Sequence, residues 1–136
     1  MNRPLSWLVS ALLQVWQFPQ NLVGVVFGCF LKGKRHLSGI DGIPPEIRLV
    51  SARNMRGGIS LGNFVYLRPP VYDRMAQHEY GHCLQSRLLG PLYLPVIGLP
   101  SLLWAIWWHP GRPVGYYTFY TERWADRLAG IERNPR

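Results

Sequence analysis

The sequence predicts an α+β fold that is mainly helical, with one small β-hairpin or ribbon and a hydrophobic N-terminal helix. An uncharged run at residues 5–31 supplies the N-terminal helix, and short β-type runs at 47–52 and 64–68 supply the strands. A helix bracketed by turn residues is expected at 74–89. The chain has 136 residues, which support one modest core and exclude a multidomain enzyme.

The N-terminal run is longer than the roughly 20 residues that cross a bilayer as a helix. Its polar and small residues recur every three or four positions and form one seam: Ser6, Ser10, Gln14, Gln17, Asn21, Gly24 and Gly28. One face should therefore meet protein and the other lipid. Pro19 predicts a kink or two half-helices. The alternative is a buried amphipathic helix pair in a soluble core.

Basic residues outnumber acidic ones, 15 to 7, which gives a formal net charge of +8. The bases are scattered, with no stripe or block longer than Lys32, Lys34 and Arg35. This distribution fits anionic lipid headgroups better than nucleic acid, so we expect membrane lipid as a partner and no nucleic acid. Because the three bases follow the N-terminal run, the positive-inside bias predicts a membrane location with the main body in the cytoplasm.

Two helices are marked by their ends. Asp73 is placed as an N-cap, and Gly90 followed by Pro91 ends the helix that begins there. A second helix is expected at 117–129, ended by Gly130 in the same way. The β-type runs between the N-terminal region and the first of these helices are separated by a turn-rich segment, which favours a hairpin.

The first bracketed helix contains His78, Glu79 and His82, the HExxH pattern. Histidines four apart project from one helix face, so both rings can reach one Zn²⁺ ion. Glu79 lies beside the open position of the metal, where it can act as general base towards a water molecule that the metal activates. The competing interpretation is a polar helix face that carries two histidines by coincidence.

A catalytic zinc site needs a third protein ligand. A metzincin would place His at position 88, and this chain has Leu88. Glu122 and Asp126 lie four apart on the second helix, so the first can bind metal while the second accepts the free ring N–H of a ligating histidine. His109 is the competing third ligand, in a loop flanked by Pro and Gly.

His78-Glu79-x-x-His82 followed by Glu122-x-x-Ala125-Asp126 resembles the gluzincin zinc metallopeptidases, and is especially similar to the membrane-bound HtpX and CAAX-processing branch and to the minigluzincins. The resemblance covers about residues 73–130. It implies one zinc ion per chain held by His78, His82 and Glu122, with Glu79 as general base and Asp126 supporting a ligand. It also implies a minimal zincin-like domain at 37–136, after a hydrophobic membrane helix region at 1–36.

The residue that would stabilise an oxyanion is left open by the sequence. The candidates for oxyanion or substrate contacts are Tyr116, Tyr117, Tyr120 and His109, and each tyrosine has aromatic packing as its simpler role. Arginines also follow Asp126, at positions 127, 133 and 136. Cys83 is interpreted as a core residue.

A second uncharged stretch, 88–108, is interrupted by Gly and Pro and cannot be one straight helix. A single crossing of the bilayer would separate His82 from Glu122, so we expect a hydrophobic hairpin, re-entrant, interfacial or buried in the core, broken near 98–100. Strand 64–68 is a plausible edge strand for pairing an extended peptide.

Together these observations predict a small membrane-associated zinc metalloendopeptidase that acts on a peptide or protein substrate. The first alternative is a non-catalytic membrane or scaffold protein in which the same ligands hold a structural zinc ion. The second is a basic module that binds nucleic acid or a lipid surface.

Overall fold

The computed structural model describes residues 3–133 and confirms the α+β class. It contains five α-helices: α1 (Arg3–Trp16), α2 (Phe18–Gly28), α3 (Asp73–Leu89), α4 (Leu99–Trp107) and α5 (Tyr120–Ala129). Four short strands form one sheet: β1 (Arg35–Leu37), β2 (Arg48–Ser51), β3 (Gly58–Leu61) and β4 (Phe64–Leu67). Single turns of 3-10 or π helix occur at Gly90–Leu92, Leu94–Gly98 and Tyr116–Thr118.

The sheet order is β1-β2-β4-β3, which corrects the expected hairpin. The two predicted runs are neighbours, but β2 and β4 lie parallel, with Arg48 opposite Phe64. The hairpin is formed by β3 and β4, which meet at Gly62 in a left-handed conformation (φ 66°). β3 was interpreted as part of a turn because two glycines, Gly57 and Gly58, open it. Since β4 pairs on both sides, 64–68 is a central strand, and its predicted role at the sheet edge was wrong.

The N-terminal run forms two helices rather than one. The chain breaks at Gln17, and Pro19 lies in the first turn of α2, where a missing N–H costs little. This confirms the two half-helices expected from Pro19. Neither helix, nor any other within residues 3–133, combines the length and apolarity required to span a membrane.

In α2 and the residues around it, polar and small side chains are buried and large apolar side chains are exposed. The second half of the predicted seam is buried, at Gln17, Asn21, Gly24 and Gly28, whereas Ser10 and Gln14 in the first half are exposed. The outer faces of α1 and α2 expose large apolar side chains instead, among them Leu5, Trp7, Leu8, Leu12, Val15, Phe18, Leu22 and Val26. The seam therefore meets protein, as predicted, along α2.

The buried seam is held by neutral hydrogen bonds. The Gln20 amide donates to Ser86 Oγ on α3 and to the carbonyl of Gly90, both at 2.8 Å, and Ser86 Oγ donates to Gln17 Oε1 at 2.7 Å. Asn21 Oδ1 accepts the backbone N–H of Asn63 at 2.8 Å. We call these four side chains, Gln17, Gln20, Asn21 and Ser86, the amide cluster; it ties α2 to α3 and to the β3–β4 turn.

Helix α3 lies between the sheet and α5. It begins at Asp73, but the capping position belongs to Tyr72 and the helix has no side-chain capping bond, so the predicted Asp73 cap was wrong. Its C-terminal end at Gly90 (φ 55°) agrees with the prediction. Ala76 and Cys83 pack on the sheet, and Gly81 lies so close to the backbone carbonyl of Ala125 on α5 that no Cβ would fit between them.

Residues 90–107 correct the hairpin predicted within 88–108. Helix α3 ends at Gly90, and helical turns then run through Gly98 without a break. Each proline of this stretch lies in the first turn of a 3-10, π or α segment, where its missing N–H is tolerated. Tyr93 and Ile97 are buried, but no residue of α4 is, so a buried core hairpin is excluded as well.

Candidate metal centre

The two histidines of the HExxH pattern lie one turn apart on α3 and face α5. Both are buried, with ring centroids 4.9 Å apart. Glu122, in the first turn of α5, places Oε2 at 2.9 Å from His78 Nε2 and at 3.1 Å from His82 Nε2. The three residues predicted to share an ion are thus brought together by the close crossing of α3 and α5.

The other ring nitrogens have fixed partners. His78 Nδ1 lies 2.7 Å from Asp126 Oδ1, a carboxylate that can only accept, so this nitrogen carries a proton. His82 Nδ1 lies 2.7 Å from Gln85 Oε1. Because the Gln85 amide nitrogen donates to the carbonyl of Thr121 at 2.8 Å, its oxygen must face the ring, and His82 Nδ1 carries a proton too.

This arrangement leaves acceptors facing acceptors. With Nδ1 protonated, a neutral His78 and a neutral His82 each present a bare Nε2, and both point at the Glu122 carboxylate. Such a cluster requires a positive charge at its centre, either extra protons or a bound cation. His78, Glu79 and His82 also offer ligand atoms within 4.8 Å of one another, a buried group that could hold a metal ion.

Without a metal, protonation of the histidines supplies the positive charge. Burial lowers the pKa of His82, but the hydrogen bond with Glu122 and the charges of Glu79 and Glu122 outweigh it and raise the pKa to about 9. The pKa of His78 is raised in the same way. Burial lowers this pKa, but the hydrogen bond with Glu122 and the charge of Glu79 raise it by more. Burial alone would raise the pKa of Glu122, yet hydrogen bonds from both histidines hold it far below its usual value.

Glu79 differs from Glu122 in its partners. Its Oε2 accepts a hydrogen bond from Ser60 Oγ at 2.8 Å, and that hydroxyl also lies 2.8 Å from the Glu79 backbone oxygen. Its side chain runs against Gly58 so closely that no Cβ would fit there. Glu79 is therefore held by Ser60 of β3, whereas Glu122 contacts both imidazoles.

Of the predicted oxyanion candidates, Tyr117 contacts one of the two histidines. The ring of Tyr117 packs edge-on against His78, with centroids 5.1 Å apart, and against Tyr116. Burial raises the pKa of both tyrosines, so both hydroxyls remain donors. Tyr120 is turned away, since its hydroxyl donates to the carbonyl of Val96 at 2.6 Å.

His109 does not join the centre. It lies exposed in the loop after α4, where its Nδ1 accepts the N–H of Gly111 at 3.1 Å. Among the described residues it is not part of the group that could hold a metal. Of the downstream arginines, Arg136 lies outside the described residues, and Arg133 donates to both Asp126 oxygens at 2.6 and 3.0 Å.

Sequence reasoning missed two supports of the centre, Gln85 and Ser60. Gln85 follows His82 by three residues on α3, a spacing that puts both on one helix face and could have indicated the contact. Ser60 gave no signal, because it lies in the strand that the sequence analysis did not find. Burial also raises the pKa of Cys83 to about 12, in agreement with its interpretation as a core residue.

Comparison of the chain with models of protein families, with curated proteins and with solved structures found no match.

Proposed function

We propose that this protein is a small, membrane-associated, zinc-dependent peptidase. The observation that carries the proposal is the convergence of His78 Nε2, His82 Nε2 and Glu122 Oε2, with both imidazoles oriented by outer partners. Two imidazoles and one carboxylate are the ligand set of a catalytic zinc site in which a fourth position remains for water. The Gln85 and Asp126 contacts are of the type that orients ligating histidines.

The donor set fits zinc. Two nitrogens and one carboxylate oxygen suit Zn²⁺, whereas Mg²⁺ and Ca²⁺ prefer sites built from oxygen alone. When bound, the ion would supply a Lewis acid that makes a water molecule nucleophilic near neutral pH. His78, His82 and Glu122 would hold it.

The roles of the other residues follow from their contacts. Glu79, oriented by Ser60, would take a proton from the attacking water and pass it to the leaving amine. Asp126 holds His78 in the ligating tautomer and is itself held by Arg133. Tyr117, which packs on His78 and keeps its proton, is the best placed donor to the carbonyl oxygen of a substrate.

Membrane association is supported by the exposure of large apolar side chains on α1 and α2 and by the burial of the polar side chains of α2. α1, α2 and the 88–107 segment together expose large apolar side chains, including Trp7, Val26, Leu88, Leu103 and Ile106. Large exposed apolar patches are rare on soluble monomers and mark sites that meet protein or membrane. Partition of the purified chain into neutral lipid vesicles tests this part, and retention in the aqueous fraction as a monodisperse protein would contradict it.

The test of the activity is a pair of measurements on the purified chain, zinc content and hydrolysis of an unstructured peptide mixture. We expect one zinc ion per chain and hydrolysis that a chelator abolishes and zinc restores. Glu79→Gln should keep the metal and slow hydrolysis by about 100- to 10,000-fold, because the proton acceptor is lost. Glu46→Gln, at an exposed position, is the matched control and should behave like the wild type.

The ligand assignment is tested with His82→Ala and Glu122→Ala, and His36→Ala serves as an exposed histidine control. Stoichiometric zinc in either of the first two variants would refute the site. Wild-type hydrolysis by Glu79→Gln would refute the mechanism even with zinc bound.

A second candidate, a structural zinc site without turnover, is favoured by one observation. His78, His82, Glu79 and Glu122 are only 4%, 6%, 7% and 2% exposed, which is typical of a closed site. A small hydroxamate distinguishes the two, since it binds a zinc ion only where a coordination position is open. Binding to the zinc-loaded Glu79→Gln variant supports the peptidase, and failure to bind supports the structural site.

A further inference from the structure

A wide basic cleft lies beside the candidate metal centre. It has a volume of about 1280 Å³ and is bordered by the segment after α4, by α5 and by the residues that follow it. Five arginines line it, against two acidic residues: Arg74, Arg112, Arg123, Arg127 and Arg133, and Asp126 and Glu132. The cleft thus concentrates much of the positive charge of the chain in one concave surface.

Four of these five arginines form no ion pair among the described residues, and two of the four, Arg123 and Arg127, are neighbours on α5. Within residues 3–133, the ion pair formed by an arginine is that of Arg133 with Asp126, and no carboxylate pairs with Arg123 or Arg127. Both are exposed and lie four residues apart on α5, where like charges repel each other. An anion bound between them would relieve this repulsion.

The walls of the cleft strengthen the field of its charges. Trp108, Pro113 and Val114 line it, and apolar walls of low dielectric constant focus electrostatic potential. Arg112 stacks on the ring of Trp107 at 4.2 Å, and its Nε is buried without a hydrogen-bond partner among the described residues.

The cleft reaches the centre through two residues that belong to both. Tyr117 and Asp126 line the cleft, and each contacts His78. α5 thus carries Glu122 and Asp126 towards the histidines, while Arg123 and Arg127, each one residue further along, face the cleft. A chain bound in the cleft would lie next to the proposed zinc ligands.

We infer that this cleft binds carboxylate groups of a peptide and gives the protein a preference for acidic substrates. The inference rests on the proposed function for its meaning, but the binding itself requires neither zinc nor turnover. Two sources of the carboxylate fit the same chemistry, acidic side chains and a free C-terminus.

The experiment measures binding by fluorescence anisotropy to zinc-loaded Glu79→Gln, so that no peptide is hydrolysed. Three labelled peptides share one neutral core: one is amidated, one is amidated with two added Glu residues, and one has a free C-terminal carboxylate. We expect at least one of the two carboxylate-bearing peptides to bind about tenfold more tightly than the neutral one at low salt, and the difference to shrink as salt is added. Which of them gains identifies the source of the carboxylate.

The variant Arg123→Gln/Arg127→Gln, made in the same background, should remove about tenfold of that preference. The matched control is Arg56→Gln/Arg68→Gln, which removes the same charge at exposed positions outside the cleft and should leave the preference intact. Equal loss in both double variants, or equal binding of all three peptides, would overturn the inference. So would binding to vesicles of anionic lipid that depends on Arg123 and Arg127 while peptide binding does not.

These outcomes are separable from those of the proposed function. Hydrolysis without a charge preference would reject the acidic cleft and leave the peptidase standing. A charge preference in a protein that never hydrolyses peptides would support the cleft and reject the peptidase.

Discussion

The protein buries two polar groups of side chains along the same helix, and they are built on opposite principles. The amide cluster pairs α3 with α2 through neutral amides and a hydroxyl, and each of its hydrogen bonds joins a donor to an acceptor. The metal centre, one to two turns earlier on α3, pairs α3 with α5 through imidazoles and carboxylates whose acceptors face each other. In the first cluster only Gln20 Oε1 is buried without a partner among the described residues, whereas the second cluster requires a positive charge, supplied by extra protons or by a bound cation.

The difference shows how a buried polar cluster that stabilises helix packing can be distinguished from one that is a candidate binding site. A closed network of hydrogen bonds offsets the desolvation of its members and fixes the packing of two helices. A buried group in which lone pairs converge is stable only with an added positive charge, which protons or a bound cation can supply. Substitutions in the two clusters should therefore have different effects.

The largest effect is expected for Asp126→Asn, which keeps the shape of the side chain but removes the charge that supports His78 and pairs with Arg133. Zinc affinity should fall by about 10- to 100-fold. The measurement is a competition titration against a chelating dye. Asp41→Asn, at an exposed position, is the control and should bind zinc like the wild type. Unchanged affinity in Asp126→Asn would deny Asp126 its orienting role.

The next effect is expected in the amide cluster. Ser86→Ala leaves Gln17 Oε1 without a donor and deprives the Gln20 amide of one acceptor, so the free energy of unfolding should fall by about 1–3 kcal/mol. Zinc content should stay at the wild-type value. Denaturant unfolding and metal analysis check both, with the exposed Ser38→Ala as control. Loss of zinc in Ser86→Ala would show that the two clusters are coupled.

The smallest effect concerns pH and distinguishes the clusters without any substitution. In the metal-free protein the folded pKa of His82 is about 9, against an unfolded value of 6.5, so its contribution to stability is complete below pH 6.5 and is lost as pH rises towards 9. The lowered pKa of Glu122 adds stability above its unfolded pKa of 4.5. Denaturant unfolding in the presence of chelator should show greater stability near pH 5.5 than near pH 9.5. A flat profile, or one unaffected by His82→Ala, would contradict this.

The sequence predicted the metal centre more completely than the sheet, and the reason is physical. The spacing of His78 and His82, and that of Glu122 and Asp126, is local to one helix turn, so sequence alone fixes which side chains share a face. When two such helices pack with these faces together, their four side chains meet. The contact of Gln85 with His82 follows from the same rule, because the two residues lie three apart on α3.

The sheet depends on contacts that no local pattern records. β3 begins at Gly58, beside Gly57, and these residues indicate a turn in isolation. Only its pairing with β4 and its packing on α3 make it a strand. The sequence did not predict the path of residues 90–107 for a related reason. Prolines indicate breaks, yet each proline here lies in the first turn of a helical segment. The burial of Tyr93 and Ile97, which is a tertiary contact, stabilises these segments.

Gly81 places a limit on how this centre can vary. It stands between Glu79 and His82, and the backbone of Ala125 fills the space that any larger residue would need. Even an alanine at 81 would move α5 outward and carry Glu122 away from both imidazoles. The pattern in this chain is therefore HExGH, in which the glycine sets the distance from α3 to Glu122, the proposed third ligand, which lies 41 positions later in the sequence.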